Sequence, residues 1–348
     1  MTSRKLVLDT LRFESPQRIP RQAWILPWAE AHHPRQVALL RKRFPDDILA
    51  APAVYTHPPG TTGDRYAMGT YIDEWGCRFD IPEEGTIGLV SSPRIRRWED
   101  LEDFQVPENI LTLDREAVND FCASTDRFVL AGTVQRPFER LQFLRTMEQA
   151  LIDLMEQPPE LFTLLGRIHS LYLKEVEAWA GTDVDGINLM DDWGTQTGLL
   201  TSPDIFRRIF KPMYREYAQI ARAHGKAVFM HSDGYIHDII PDLIEVGIEA
   251  LNAQVFCMDI SRLSKESAGK LTFWGEVDRQ LTLAEGTTKD VEKAVHIIWE
   301  MFFRGGGVIA QCEFGLCAKP ENIFTVFKTW DSISREFLGG NPAAGRSG

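Results

Sequence analysis

Four segments of this chain deliver acid, imidazole or thiol side chains directly after a short apolar run. GINLM is followed by Asp191-Asp192-Trp193-Gly194, KAVFM by His231-Ser232-Asp233-Gly234, LTFWG by Glu276, and GGGVIA by Gln311-Cys312-Glu313. Adjacent carboxylates repel one another and partial burial adds to that, so one of Asp191 and Asp192 is expected to hold its proton and to act as general acid or substrate clamp. The plainer alternative for Asp192 is a helix cap or a side chain facing water. Imidazole, thiolate and carboxylate together are the donor set of a catalytic Zn2+ that keeps one position open for substrate. His231 and Cys312 are the core of such a set, with Glu276 as third metal ligand and Cys257, beyond ALNAQ, as a lesser candidate. Trp24, Trp193, Asp233 and Gln254 are read as substrate contacts. Ligands on separate strands need no fixed spacing, so the sequence leaves open the bland readings, a buried inert thiol and a structural imidazole.

These residues work together only if the elements that bear them bring them to one place. Eight apolar or β-branched runs are read as strands: Gln22 to Leu26, Asp47 to Ala50, Phe128 to Thr133, Gly186 to Met190, Ala227 to His231, Ala250 to Gln254, Leu271 to Gly275 and Val308 to Cys312. Helical patterns separate them, as in DIFRRIFKPMYREYAQIARAHG, whose apolar residues recur at three and four and whose end is marked by Gly225. That alternation predicts a (β/α)8 barrel, in which chemistry sits at the C-terminal strand ends. Residues 64–93 instead alternate apolar and polar residues around Gly and Pro, and predict a β-hairpin insertion after the second strand. The expected organisation is one barrel domain over residues 1–338, with a flexible Gly/Pro/Ala-rich tail at 339–348. Gly305 to Gly307 precede the last strand at its N-terminal end, and no dinucleotide or phosphate-loop motif occurs in a strand-to-helix setting.

Composition narrows the partners. With 44% hydrophobic residues and nine Trp among 348, the chain can bury a large core. Its net charge of -12, with no offsetting run of Lys or Arg, disfavours nucleic acid. The opening MTSRKLVLDTLRFE lacks the apolar core of a signal peptide, and no apolar run is long enough to span a membrane, so a cytoplasmic protein without a membrane partner is expected. Five dispersed cysteines argue against a disulfide framework.

Several segments together resemble the uroporphyrinogen decarboxylase superfamily: ESPQRIPRQAW, DDWG followed by LLTSPDIFRRIFKPMYREY, HGKAVFMHSDG, and FWGEVDRQLTLAEGTTKDVEKAV. The resemblance runs from Arg4 to about Asp331 and implies a distorted (β/α)8 barrel, in agreement with the strand count. The superfamily holds cofactor-free porphyrinogen decarboxylases and zinc methyltransferases that work with a corrinoid protein. Where decarboxylases have an arginine-bearing RQAGRY-type segment, this chain has RQAWILPW. Their tyrosine falls on Phe143 and their late histidine on Phe314, and Asp47 of DDIL is the one catalytic residue the resemblance retains. The methyltransferase branch is similar in having a His-x-Cys at one strand end and a Cys on the last strand; here these fall on His231 and Cys312, with Asp233 in place of the middle cysteine.

The resemblance therefore implies a methyltransferase that moves a methyl group between a small methylated substrate, of methoxy, methyl-thiol or methylamine type, and a corrinoid protein or thiol acceptor. Zn2+ and a cobalamin carried by a separate protein are the implied cofactors, and a homodimer is a possible assembly. Asp191, Asp192 and Asp47 are the catalytic candidates. One alternative is a metal-free decarboxylase of a tetrapyrrole or smaller acid that depends on Asp47 and not on Cys312. The other is a non-catalytic corrinoid- or metabolite-binding relative.

Overall fold

The structure is a computed structural model that describes residues 1–338; the predicted tail at 339–348 lies outside the described residues. All eight expected strands are present: β1 Arg21–Ile25, β2 Ile48–Ala50, β3 Phe128–Gln135, β4 Gly186–Met190, β5 Ala227–Ser232, β6 Ala250–Ala253, β7 Thr272–Trp274 and β8 Val308–Phe314. Helices intervene between them, as the long Pro159–Ala180 does between β3 and β4, and this order is that of the (β/α)8 class. β3 and β8 each run two residues further than the apolar pattern suggested; in β3 the added Gln135 is polar yet bonds the buried Glu175.

The chain divides into two compact units. The first comprises Met1–Leu49, Asp126–Phe128 and the residues from Glu249 onward, and carries a parallel run in which β1 pairs with β8, β8 with β7 and β7 with β6. Its register sets Ala23 opposite Cys312 and Trp274 opposite Ile309. Phe273 stacks on Phe302 at 3.9 Å in its core.

The second unit, Ala50–Thr125 and Val129–Ile248, holds the parallel run β3, β4, β5, with Met190 opposite His231. The segment DIFRRIFKPMYREYAQIARA becomes Pro203–Ile205, a wider turn over Phe206–Phe210 and the helix Lys211–Ala223. Pro212 has no N–H to donate, which is the ordinary cause of such a widening. The helical face buries Phe206, Phe210, Tyr214 and Tyr217 completely. The insertion is a three-stranded antiparallel sheet, Gly69–Ile72, Arg78–Ile81 and Leu89–Ser92. It is fastened within this unit by Arg140, which bonds the Asp73 carboxylate and lies over the Trp75 ring at 4.6 Å. Among the described residues no helix is long and apolar enough to cross a membrane.

Candidate active site

The loops after β4 and β5 meet at their backbones. A β-carbon at Gly194 would lie 2.5 Å from the Tyr235 nitrogen, and one at Gly234, whose φ is +78°, would strike the Gly194 carbonyl. Only glycine allows both the approach and that conformation. The Gly194 N–H donates to the Asp233 carbonyl at 3.1 Å, and the Asp233 N–H donates to Asp192 Oδ1 at 2.8 Å. Between the joined loops, His231 Nε2 lies 3.5 Å from Asp192 Oδ1 and 3.4 Å from Asp233 Oδ1. One ligand atom from each of the three residues falls within 4.8 Å of the others, the size of a shared cation site. Asp233, expected to touch substrate, is thus one wall of the histidine's acid surround.

Asp191 has another task. It is fully buried and accepts the Phe138 N–H at 2.8 Å, the Glu139 N–H at 2.6 Å and the Tyr214 hydroxyl at 2.6 Å. Those bonds anchor the N-terminus of the helix Pro137–Arg145, so this carboxylate is a structural anchor and not the general acid expected of it. Burial, with Glu139 nearby, pushes its pKa well up. Trp193, expected to contact substrate, is instead core: it stacks on Phe138 at 4.1 Å, donates from Nε1 to Tyr214 Oη at 3.0 Å and has no exposed surface. After β4 the first and third residues of DDW turn into the protein and Asp192 alone turns toward the histidine.

Two residues escaped the sequence reading. Arg136 and Glu139 follow β3 in QRPFE, and the strand-end rule that selected the other loops applies to them equally. Glu139 is raised to about 7, by burial first; Arg136 opposes the rise, Asp192 adds to it and His231 opposes it. The Arg136 guanidinium lies 3.5 Å from Glu139 Oε2, a buried oxygen that makes no hydrogen bond. Arg136 also donates to the Met190 thioether at 3.1 Å. A carboxyl near neutrality beside an imidazole and a second carboxylate is a group that can exchange a proton at physiological pH.

The first unit holds the remaining candidates. Cys312 is fully buried, and burial, followed by the charges of Glu276 and Glu313, pushes its thiol well above the usual range. Glu276 is buried just after β7, 3.8 Å from Arg279, which donates to Glu313 at 3.1 Å. Trp24 meets Trp274 edge-to-face at 5.1 Å, and both indoles donate to Gln22 Oε1. Gln254 accepts from the Cys257 thiol at 3.6 Å. Asp47, expected to be catalytic, stands at the N-terminal end of β2. Arg18 grips both its oxygens at 2.7 and 2.5 Å, Ser3 Oγ donates at 2.5 Å and the Arg21 N–H at 2.9 Å. With those donors it ties the chain's first helix and β1 together, a structural duty at the end of the strand opposite to the one where chemistry is expected.

A fold of the (β/α)8 class with a histidine and carboxylates at its C-terminal strand ends defines a class of barrel enzymes. Within it, residues 66–332 match the model for "Uroporphyrinogen decarboxylase (URO-D)", and the chain belongs to that family. No curated protein matches the chain by sequence. Among solved structures, a methyltransferase from Methanosarcina mazei is similar over 96% of this chain and 99% of its own, at 19% identity and a TM-score of 0.71, which establishes a shared fold. A xylose isomerase-like TIM barrel protein from Mycobacterium smegmatis in complex with magnesium (12% identity, 68% and 83% covered) has a TM-score of only 0.35. A sugar phosphate isomerase/epimerase from Parabacteroides distasonis (8% identity, 92% and 96% covered) has one of 0.38.

Proposed function

We propose that this chain is a methyltransferase whose metal, zinc by the chemistry of its donors, is held by His231, Asp192 and Asp233. The observation that carries the reading is the convergence of one imidazole nitrogen and two carboxylate oxygens on loops locked by Gly194 and Gly234. One nitrogen and two oxygens are a donor set that zinc accepts while leaving a position for substrate. The likeness to the M. mazei methyltransferase favours methyl transfer over other metal chemistry. When bound, the metal supplies Lewis acidity toward the heteroatom that carries the methyl group.

The chain's own residues do the rest. Asp192 and Asp233 present their oxygens to the same side of the imidazole, around its Nε2. Burial pushes the pKa of Glu139 up toward neutrality, which favours its protonated form. As the bond between methyl carbon and heteroatom breaks, the methyl group passes to the corrinoid of a separate protein or to a thiol acceptor. The electron pair stays on the heteroatom, which takes the proton of Glu139. The decarboxylase alternative rests on Asp47, whose oxygens are already taken by Arg18, Ser3 and the Arg21 N–H.

The test is metal content of the full chain after zinc reconstitution, by plasma mass spectrometry. About one zinc per chain is expected, lost in His231→Ala and reduced in Asp233→Asn. A Cys312→Ala variant run beside them reads whether a thiolate from the last strand contributes. Zinc retained by His231→Ala, or none in the wild type, would sink the proposal.

A further inference from the structure

The second unit contains a cavity of about 380 Å³ between its insertion sheet, β3 and the helix Pro137–Arg145. That volume is at the small end of ligand pockets, suited to one ring and its substituents and not to a tetrapyrrole. One wall is aromatic and half-buried: Tyr71, Phe79 and Phe143, with Phe79 edge-to-face on Phe143 at 5.3 Å. The deeper Trp75 ring is engaged, because Arg140 lies over it at 4.6 Å; the same guanidinium lies 5.3 Å from the Phe143 ring, whose half-buried surface still lines the cavity.

Charge decides what kind of ring fits. Three arginines line the cavity, Arg65, Arg136 and Arg140, against Asp73, Glu74 and Glu175. Asp73 is bonded to Arg140, and Glu74 lies 3.7 Å from the same guanidinium. Glu175 is engaged by the Thr133 hydroxyl and the Gln135 amide, each at 3.0 Å, and burial raises it to about 7, so its negative charge is partial at neutral pH. Arg136, among the described residues, donates to the Met190 thioether at 3.1 Å and pairs with Glu139 at 3.5 Å, a loose engagement for a group whose fork matches a carboxylate. A cationic ligand would face Arg136 and Arg140 with no free carboxylate to hold it.

We infer that this cavity binds a single-ring aromatic carboxylate, its ring against Tyr71, Phe79 and Phe143 and its carboxylate on Arg136. Arg136 also pairs with Glu139, the proton donor of the methyl-transfer reading, at 3.5 Å, which links the cavity to that reading through one residue. The claim that such a ligand is the methyl donor, as an aryl methyl ether, rests on the methyl-transfer reading; the claim that it binds does not.

Calorimetric titration of the metal-free full chain with 4-methoxybenzoate tests binding alone. Dissociation below about 1 mM is expected, about tenfold tighter than for cyclohexanecarboxylate, benzyl alcohol or benzylammonium. Arg136→Gln is expected to weaken it by about tenfold or more. Phe143→Leu is expected to weaken the aromatic acid by several-fold and leave cyclohexanecarboxylate unchanged, and it decides the matter if Arg136→Gln does not fold. No binding of 4-methoxybenzoate, or equal binding of benzylammonium, overturns the inference. Binding without any zinc retention overturns methyl transfer and leaves the cavity assignment standing, whereas zinc retention without binding does the reverse.

Discussion

Asp191 accepts three buried donors, so replacing it by asparagine turns one acceptor oxygen into an NH2 that faces an N–H or hydroxyl. A buried donor left unmatched costs about 1–3 kcal/mol. Asp191→Asn should lower the urea midpoint accordingly, while Asp192→Asn, on a half-buried carboxylate, should stay within about 0.5 kcal/mol of wild type and lose zinc instead. Equal destabilisation of the two would contradict the division of labour between these neighbours. Sequence reasoning found the pair because a strand ended there, but strand ends do not say which side chain turns inward. Trp193 shows the same limit: an aromatic at a barrel mouth looks like a ligand contact until Phe138 is found stacked on it. Glu139 and Arg136 were missed although the strand-end rule reached QRPFE, since what marks them out, burial and the charges beside them, depends on contacts distant in sequence.

At the scale of elements, the insertion was legible from its alternation and its glycines, and the expected hairpins form as two successive antiparallel pairs of one three-stranded sheet. What the alternation could not show is its fastening, since Asp73 and Arg140 are 67 residues apart. Arg140→Met should leave Asp73 buried without its partner, at a cost of about 3–5 kcal/mol. Hydrogen exchange should rise first across residues 64–93; uniform protection throughout the chain would refute the assigned role. The eight strands were found because apolar runs and intervening helical periods are local patterns. Their true ends at Gln135 and Phe314 were not, because the polar Gln135 and Glu313 are satisfied by Glu175 and Arg279, distant in sequence.

For the molecule as a whole, the buried acids set how stability responds to pH. Burial pushes Glu139 and Glu175 up to about 7 from the ordinary glutamate value of 4.5. For these two groups the folded protein holds protons that the unfolded chain releases, so their contribution to stability falls as pH rises from about 4.5 to about 7; Asp191 and Asp46, also raised by burial, act in the same direction. Each group contributes on the order of 3 kcal/mol at most. Glu175→Gln, which keeps the shape and removes the ionisation, should raise the melting temperature more at pH 8 than at pH 5. A variant that tracks wild type at both pH values would show that Glu175 does not hold its proton. None of this was readable from a net charge of -12, which counts acids without saying which are buried.

The touching glycines after β4 and β5 also govern how substitutions combine. A methyl group at Gly194 parts the two loops, and the gap so opened is the space a methyl group at Gly234 would need. Residues that share one contact do not contribute independently. The Gly194→Ala/Gly234→Ala pair should therefore cost less than the sum of its members, so that a chain which has already lost one glycine can drift at the other with little further penalty.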